Sequence, residues 1–339
     1  LFLGQNCVSY LGVFALPLLR ELGGFRKGLE GSQDWDLALR CIERITPEQI
    51  VHIPRVLYHW RAIQGSTALA AGEKNYAVVA GRRAVEEHLQ RTGQGGEVSI
   101  LPASMMRVKR PGPVPAPKVR LGIPTRDRAD LCVDSMLERS TYPDYEILVV
   151  DNGSVESTTL EYFAQLSALA NVRVLPYPGE FNYSAINNFA VAQARGEIIG
   201  LVNNDIEVIS ADWMEEMVAH AMARFKAAGG VAGHVGSRHP RGSQGYFGRM
   251  LLTQDLSAVT AACLLVRKSV YDEVGGLDER LRVAFNDVDL CLRIREKGYR
   301  NVWTPFAELY HHESASRGLE DNPVKQARFM SEVEFMQKR

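Results

Sequence analysis

No run of about 18 consecutive apolar residues occurs in these 339 residues, so no segment reads as a membrane-spanning helix. Cysteine is sparse. Cys7, Cys41, Cys132, Cys263 and Cys291 are odd in number, scattered, and form no Cys-x-x-Cys pair. That pattern excludes a disulfide scaffold and a zinc ribbon, and it predicts reduced thiols in a cytoplasmic protein. Neither sign of charge dominates: 39 Lys and Arg face 40 Asp and Glu, a net charge of -1. A strongly basic nucleic-acid binder is thereby excluded, and no nucleic-acid partner is expected. A Gly-x-Gly-x-x-Gly fingerprint and a Walker loop are both missing, which removes the motif basis for dinucleotide and P-loop sites. The chain opens on Leu1 without a signal segment, and this start reads as a cut within a longer polypeptide.

What remains is an ordinary globular composition, 46% hydrophobic and 23% charged, long enough for two domains. The N-terminal third is net basic and the rest net acidic. The clearest boundary is Arg107-Val-Lys-Arg-Pro-Gly-Pro-Val-Pro-Ala-Pro-Lys118, whose alternate prolines favour an extended rod and whose basic residues suit a solvated linker. Beyond it, strands and helices alternate. Val119–Pro124, Tyr145–Asp151, Val172–Leu175 and Glu197–Asn203 read as strands; Ala129–Arg139, Ser157–Ala168 and Ser184–Ala194 read as helices. Such alternation predicts an α/β fold, a mostly parallel sheet with helices on both faces, and ligands in such sheets sit beyond the carboxyl ends of the strands.

The sequence also repeats itself. Glu21-Leu-Gly-Gly-Phe25 with Gln33-Asp-Trp-Asp-Leu-Ala-Leu-Arg40 parallels Glu273-Val-Gly-Gly-Leu277 with Asn286-Asp-Val-Asp-Leu-Cys-Leu-Arg293. Ile53-Pro-Arg-Val-Leu-Tyr-His59 then parallels Thr304-Pro-Phe-Ala-Glu-Leu-Tyr-His311. Two matches in the same order predict the tail of one domain followed by a nearly whole second copy.

Four places can carry chemistry. Asp151-Asn152 ends a strand, either as a plain Asn-Gly turn or as a carboxylate that receives a nucleoside. Asn203-Asn204-Asp205 ends another, where side-chain oxygens suit a hard divalent cation or cap the following helix. Asp287 opens an amphipathic helix, where an acid complements the helix dipole or faces a cleft as a general base. His311-His312-Glu313 follows a strand and is either surface decoration or a source of an imidazole ligand.

These sites, with Ile123-Pro-Thr-Arg126, Val149-Val-Asp-Asn-Gly-Ser154, Phe181-Asn-Tyr-Ser-Ala-Ile-Asn-Asn188, Ala194-Arg-Gly-Glu197, Ala262-Cys-Leu-Leu-Val-Arg267, Gly275-Gly276 and Tyr310-His-His-Glu-Ser314, give residues 119–317 a resemblance to family 2 glycosyltransferases of GT-A fold. The style is that of tandem bacterial enzymes of O-antigen or rhamnan-type polysaccharide assembly. The resemblance implies a first glycosyltransferase tail over 1–68, a helical connector and linker over 69–118, and a second domain over 119–339 with an internal deletion near 226–233. It implies inverting transfer from a UDP- or dTDP-linked sugar to a glycan or lipid-linked glycan, in the cytoplasm or at the inner face of the membrane as a peripheral protein. Asp287 would be the base. Pro124, Thr125, Arg126, Asp151, Asn152, Asn187, Asn203 and Asn204 would hold the donor. Asp205 and His312, with His311 in reserve, would hold Mg2+ or Mn2+. The Asn-Asn-Asp and Asn-Asp spellings depart from the family's DxD and Glu-Asp pairs. The rival expectation is a degenerate domain that binds nucleotide or glycan without turnover.

Overall fold

The computed structural model describes residues 1–8, 12–55, 57–59, 75–222, 227–228, 243–312 and 322–339. The chain divides into two compact units, the first comprising Leu1–Pro111 with Gly242–Thr253, the second Gly112–Arg241 with Gln254–Arg339. Within the expected linker, Pro117 is buried and its carbonyl accepts a hydrogen bond from the Tyr142 hydroxyl at 2.7 Å. The proline rod therefore ends as part of the second unit's packing and is not solvated throughout.

Unit 1 holds α1 (Leu16–Leu22), α2 (Gln33–Ile42), α3 (Asn75–Arg91), β1 (Glu97–Leu101) and β2 (Met105–Lys109). Its core joins Leu29, Trp35 and Leu39 to Ala84, Val85 and Leu89 of α3 and Val98 and Met106 of the hairpin. Among its described residues the antiparallel β1–β2 pair is the only sheet.

Unit 2 alternates β3 (Val119–Thr125), α4 (Asp130–Arg139), β4 (Tyr145–Asp151), α5 (Ser157–Leu166), β5 (Val172–Pro176), α6 (Tyr183–Gln193) and β6 (Ile198–Val202). The rest comprises β7 (Ile206–Val208), α7 (Trp213–Ala221), β8 (Ala227–Ala228), β9 (Gln254–Leu256), β10 (Cys263–Arg267), α8 (Lys268–Glu273), α9 (Asn286–Glu296), β11 (Arg300–Trp303), β12 (Leu309–His311) and α10 (Pro323–Lys338). The main sheet runs β10-β6-β3-β4-β5, with β3, β4, β5 and β6 parallel and β10 antiparallel at the edge. Every residue of β6 is buried, as a strand covered on both faces requires. Gly200 lies so close to β3 that a Cβ would sit 2.4 Å from a Leu121 methyl, so a larger residue would displace the buried Leu121 side chain. The chain steps outward from β3 to β4 and β5, then returns to the other side of β3 with β6. A crevice opens at that reversal, beyond Thr125 and Val202. The expected deletion near 226–233 falls, apart from β8, outside the described residues.

One hydrogen-bonding device occurs in both units. In unit 2, Arg293 of α9 sends its Nε to Asp289 Oδ2 at 2.8 Å, one terminal nitrogen to the Val274 carbonyl, and the other to the Gly276 carbonyl at 2.7 Å. In unit 1, Arg40 of α2 binds Asp36 at 2.9 Å, the Leu22 carbonyl at 2.8 Å and the Gly24 carbonyl at 2.6 Å. Both carbonyl pairs belong to a Gly-Gly turn in the left-handed region, Gly275-Gly276 at φ 80° and 69°, Gly23-Gly24 at φ 74° and 67°. Only glycine holds that conformation without strain, which explains the repeated pair. The guanidinium fork meets every acceptor it reaches, and the acids beneath are 1% exposed at Asp289 and 0% at Asp36.

Removing one partner of such a buried pair costs about 3–5 kcal/mol. Asp289→Asn is therefore expected to raise hydrogen exchange across α9, and Asp36→Asn across α2, each leaving the other helix unchanged. Burial pushes the Asp36 carboxyl up, but hydrogen bonds from Arg26 and Arg40 outweigh it and hold it below its ordinary value. A depressed carboxyl gives its full stabilisation above the unfolded value, about 3.9, and loses it as pH falls toward the folded one. Exchange in α2 should accordingly rise as pH drops below about 4, and Asp36→Asn should flatten that dependence.

Candidate functional site

A cleft of about 670 Å³ lies at the strand-order reversal in unit 2. That is a usual volume for a small-molecule site. Its floor is the end of β3, Pro124 and Thr125, with Asn203-Asn204-Asp205 after β6. One wall is the loop Arg126-Asp127-Arg128 with Asn152; the other is Tyr183 of α6, the Thr260–Ala262 segment and the start of α9, Asn286 and Asp287. His311 of β12 closes it.

Each lining residue is fixed by local chemistry. Asp127 takes a left-handed backbone, φ 54°, and its carboxylate accepts the amides of Val155 and Glu156 at 2.7 and 3.0 Å. Those amides hold the Asp127 carboxyl below its ordinary value, so it stays ionised and keeps the 126–128 loop against the start of α5. Arg126 beside it is exposed at the mouth. The Asn204 amide spans the crevice, donating to the Arg128 carbonyl at 2.6 Å and to Thr125 Oγ1 at 3.2 Å. Asn152 donates to the carbonyls of Tyr177 and Gly179 at 3.2 and 2.7 Å. The Tyr183 hydroxyl lies 3.0 Å from both Asn203 Oδ1 and the Ala261 carbonyl, and burial followed by the Asp287 charge pushes it well above the usual phenol value. It remains a neutral donor throughout the physiological range.

The two acids differ in setting. Asp287 is half-buried, and its Oδ2 accepts the Ala261 amide at 3.1 Å while Oδ1 accepts the Val288 amide at 2.8 Å. Asp205 keeps a buried Oδ1 that receives no hydrogen bond, although His311 Nε2 lies 3.2 Å from it. The antiparallel β12–β7 pairing sets His311 opposite Ile206 and brings the imidazole to that acid.

Eight of the sequence-predicted residues meet in the cleft: Pro124, Thr125, Arg126, Asn152, Asn203, Asn204, Asp205 and Asp287. Three do not line it. The Asp151 carboxylate accepts the Ser154 amide at 2.8 Å and serves the turn after β4. Asn187 is 0% exposed on α6, its amide donating to the Tyr183 carbonyl. His312 points away and pairs with Glu207 at 2.9 Å, because successive side chains of an extended segment face opposite sides. The reserve residue His311 takes the position expected for His312, while Glu313 lies outside the described residues. Asp127, Arg128, Thr260, Ala261 and Val283 were not singled out from sequence; loops carry no periodicity to mark them. Tyr183 had a signal in the Phe181-Asn-Tyr stretch.

The donor set suits a divalent cation in part. An orphaned buried carboxylate oxygen and an adjacent imidazole are two ligands of the right kind, but no three His, Cys, Asp or Glu side chains gather among the described residues. A cation here would need further oxygens from its ligand.

A Rossmann-like α/β domain with a polar cleft at its topological switch point is the class that this fold and site define. Residues 123–275, a little under half of the chain, match the sequence model of glycosyl transferase family 2, and the fold is GT-A-like. The whole chain aligns at 50% identity over 366 residues with an uncharacterized protein, y4gI, of Sinorhizobium fredii, covering 40% of that protein. It is 37% identical over 343 residues to the O-antigen biosynthesis protein RfbC of Myxococcus xanthus, covering 93% of this chain and 26% of that one. The chain thus spans well under half the length of either relative. A mannosyltransferase of Pyrobaculum calidifontis, solved with GDP-Man and Mn2+, shares the fold at TM-score 0.52 and 16% identity, covering 76% of this chain and 73% of that one.

A buried carboxylate oxygen that receives no hydrogen bond opposes folding, so neutralising that carboxylate should not harm stability. Asp205→Asn is expected to leave the thermal midpoint unchanged or raise it by about 2–4 °C, the equivalent of ~1 kcal/mol in a domain of this size. A clear fall in a thermal melt would assign Asp205 to holding the fold together.

Proposed function

We propose that unit 2 transfers a sugar, with inversion, from a nucleoside-diphosphate donor to a glycan or lipid-linked glycan during cell-surface polysaccharide assembly. The observation that carries this reading is the pairing, in one cleft at the switch point, of an acid that keeps one buried oxygen without a hydrogen bond, beside an imidazole, with a second half-buried acid at a helix start. The O-antigen relative and the mannosyltransferase fold support it. Thr125, Arg126 and Asn152 receive the donor, and the guanidinium at the mouth attracts its diphosphate. Asp205 and His311 would hold Mg2+ or Mn2+, which supplies neutralisation of the diphosphate charge. Asp287 takes the proton of the acceptor hydroxyl; that oxygen attacks the anomeric carbon from the face opposite the phosphate, the glycosidic C–O bond breaks, and nucleoside diphosphate leaves with the electron pair. A lipid-linked acceptor would bring the enzyme to the inner face of the membrane. Among the described residues no helix is long and apolar enough to cross one.

Unit 1 is, on the same reading, the tail of a preceding copy, and the repeated Arg–Asp–Gly-Gly device supports that. A second reading, binding without turnover, is favoured by one observation. The alignment with the Sinorhizobium protein spans 366 residues against this chain's 339, so that relative carries residues with no counterpart here.

Asp287→Asn should lower turnover by roughly 10²–10⁴-fold and spare donor affinity, because a general base acts on the transition state. Asp205→Ala should remove the Mn2+ dependence of UDP or dTDP binding while leaving metal-free binding in place. Calorimetry and a product assay over UDP-, dTDP- and GDP-sugars decide between the readings. Nucleotide binding with no product from any donor would overturn transfer and leave the binding domain.

A further inference from the structure

The segment that leads into α9 owes its path to a residue far along the chain. Glu332 of α10 is 2% exposed, and its two carboxylate oxygens accept the amides of Val283 and Ala284, each at 3.0 Å. Two charge-assisted bonds to consecutive amides fix the two peptide planes that flank the Val283 Cα relative to each other. Phe285 follows in the left-handed region, φ 61°, where a bulky residue is strained, and its ring lies against Phe329 of α10 at 5.5 Å between centroids. The Val283 carbonyl accepts the Asn286 side-chain amide at 3.0 Å, and the next residue is Asp287. At the far end of α10, Arg339 pairs with Asp289 at 2.6 Å. The helix thus touches the acid-bearing segment before, at and after its turn into α9, yet no α10 residue lines the cleft.

We infer that Glu332 is a positioning residue, which through the Val283–Ala284 amides sets where Asp287 stands in the cleft on the acceptor side. This rests on the transfer reading. A carboxylate is required because it alone offers two acceptors in one plane. Glu332→Gln turns an N–H toward one of the two amides and loses one bond without changing volume.

The test uses the whole chain with Glu332→Gln, Asp287→Asn and the double variant, measured by hydrogen exchange, UDP affinity with Mn2+, and turnover. Exchange should rise at 283–287 and stay unchanged in β3 and β6. UDP affinity should stay within about twofold, because donor contacts lie elsewhere. Turnover should fall roughly 10- to 100-fold, the scale for a misplaced reacting group. In the double variant Glu332→Gln should add almost nothing to Asp287→Asn, since positioning has no value once the positioned group is gone. Exchange rising equally throughout unit 2, or unchanged at 283–287, overturns the inference. So do rate losses that multiply in the double variant. A parent without turnover refutes transfer rather than this inference, which the exchange pattern then decides.

Discussion

The geometry of the cleft wall that carries Asp287 depends on one buried guanidinium. Arg293 can reach Asp289, the Val274 carbonyl and the Gly276 carbonyl together only if the Gly-Gly turn presents both carbonyls to the same point. That requirement fixes the turn after α8, the start of α9 and the separation between them. Asp287, two residues before the anchoring acid, is held from the α9 side by that clamp, while the Glu332 contacts act on the segment that precedes it. The buried pair is not there for stability alone, since apolar residues of equal volume often serve as well. Its value is directional: a planar fork accepts a single arrangement of partners.

The sheet and its order of elements were legible because parallel strands buried on both faces read as continuous apolar runs, as β4 and β6 do. Helix ends were less so. The helix expected over Ser157–Ala168 ends at Leu166, since apolar periodicity marks a face and not a terminus. The strand-end acids were legible as a class, yet only the structure separates Asp151, spent on its own turn, from Asp205, left without a donor. Choosing between His311 and His312 needed the strand's phase, which adjacent identical residues do not reveal. Asp127 and Val283 depend on contacts between segments remote in sequence, and local pattern carries none of that.

Asn203 and Asn204 illustrate how position changes the meaning of a motif. In a sequence they stand in for carboxylates that would bind metal. In the fold Asn204 joins the two sides of the crevice, and Asn203 sits within reach of Tyr183 and of His311 at 3.4 Å. The amides order the floor of the cleft, and Asp205 is left as the sole carboxylate of the three.

The Gly-Gly clamp also has a temporal side. Its partners are near one another in the chain, Arg40 within 18 residues of its farthest acceptor and Arg293 within 19. The β3–β6 pairing, by contrast, joins Val119 to Ile198. Short loops close at a smaller entropic cost, so during folding each clamp can assemble as a local nucleus ahead of the main sheet. A stretch that organises itself from nearby residues can be copied along a gene and still fold. The same device stands in both units, each time closed by residues fewer than twenty positions apart.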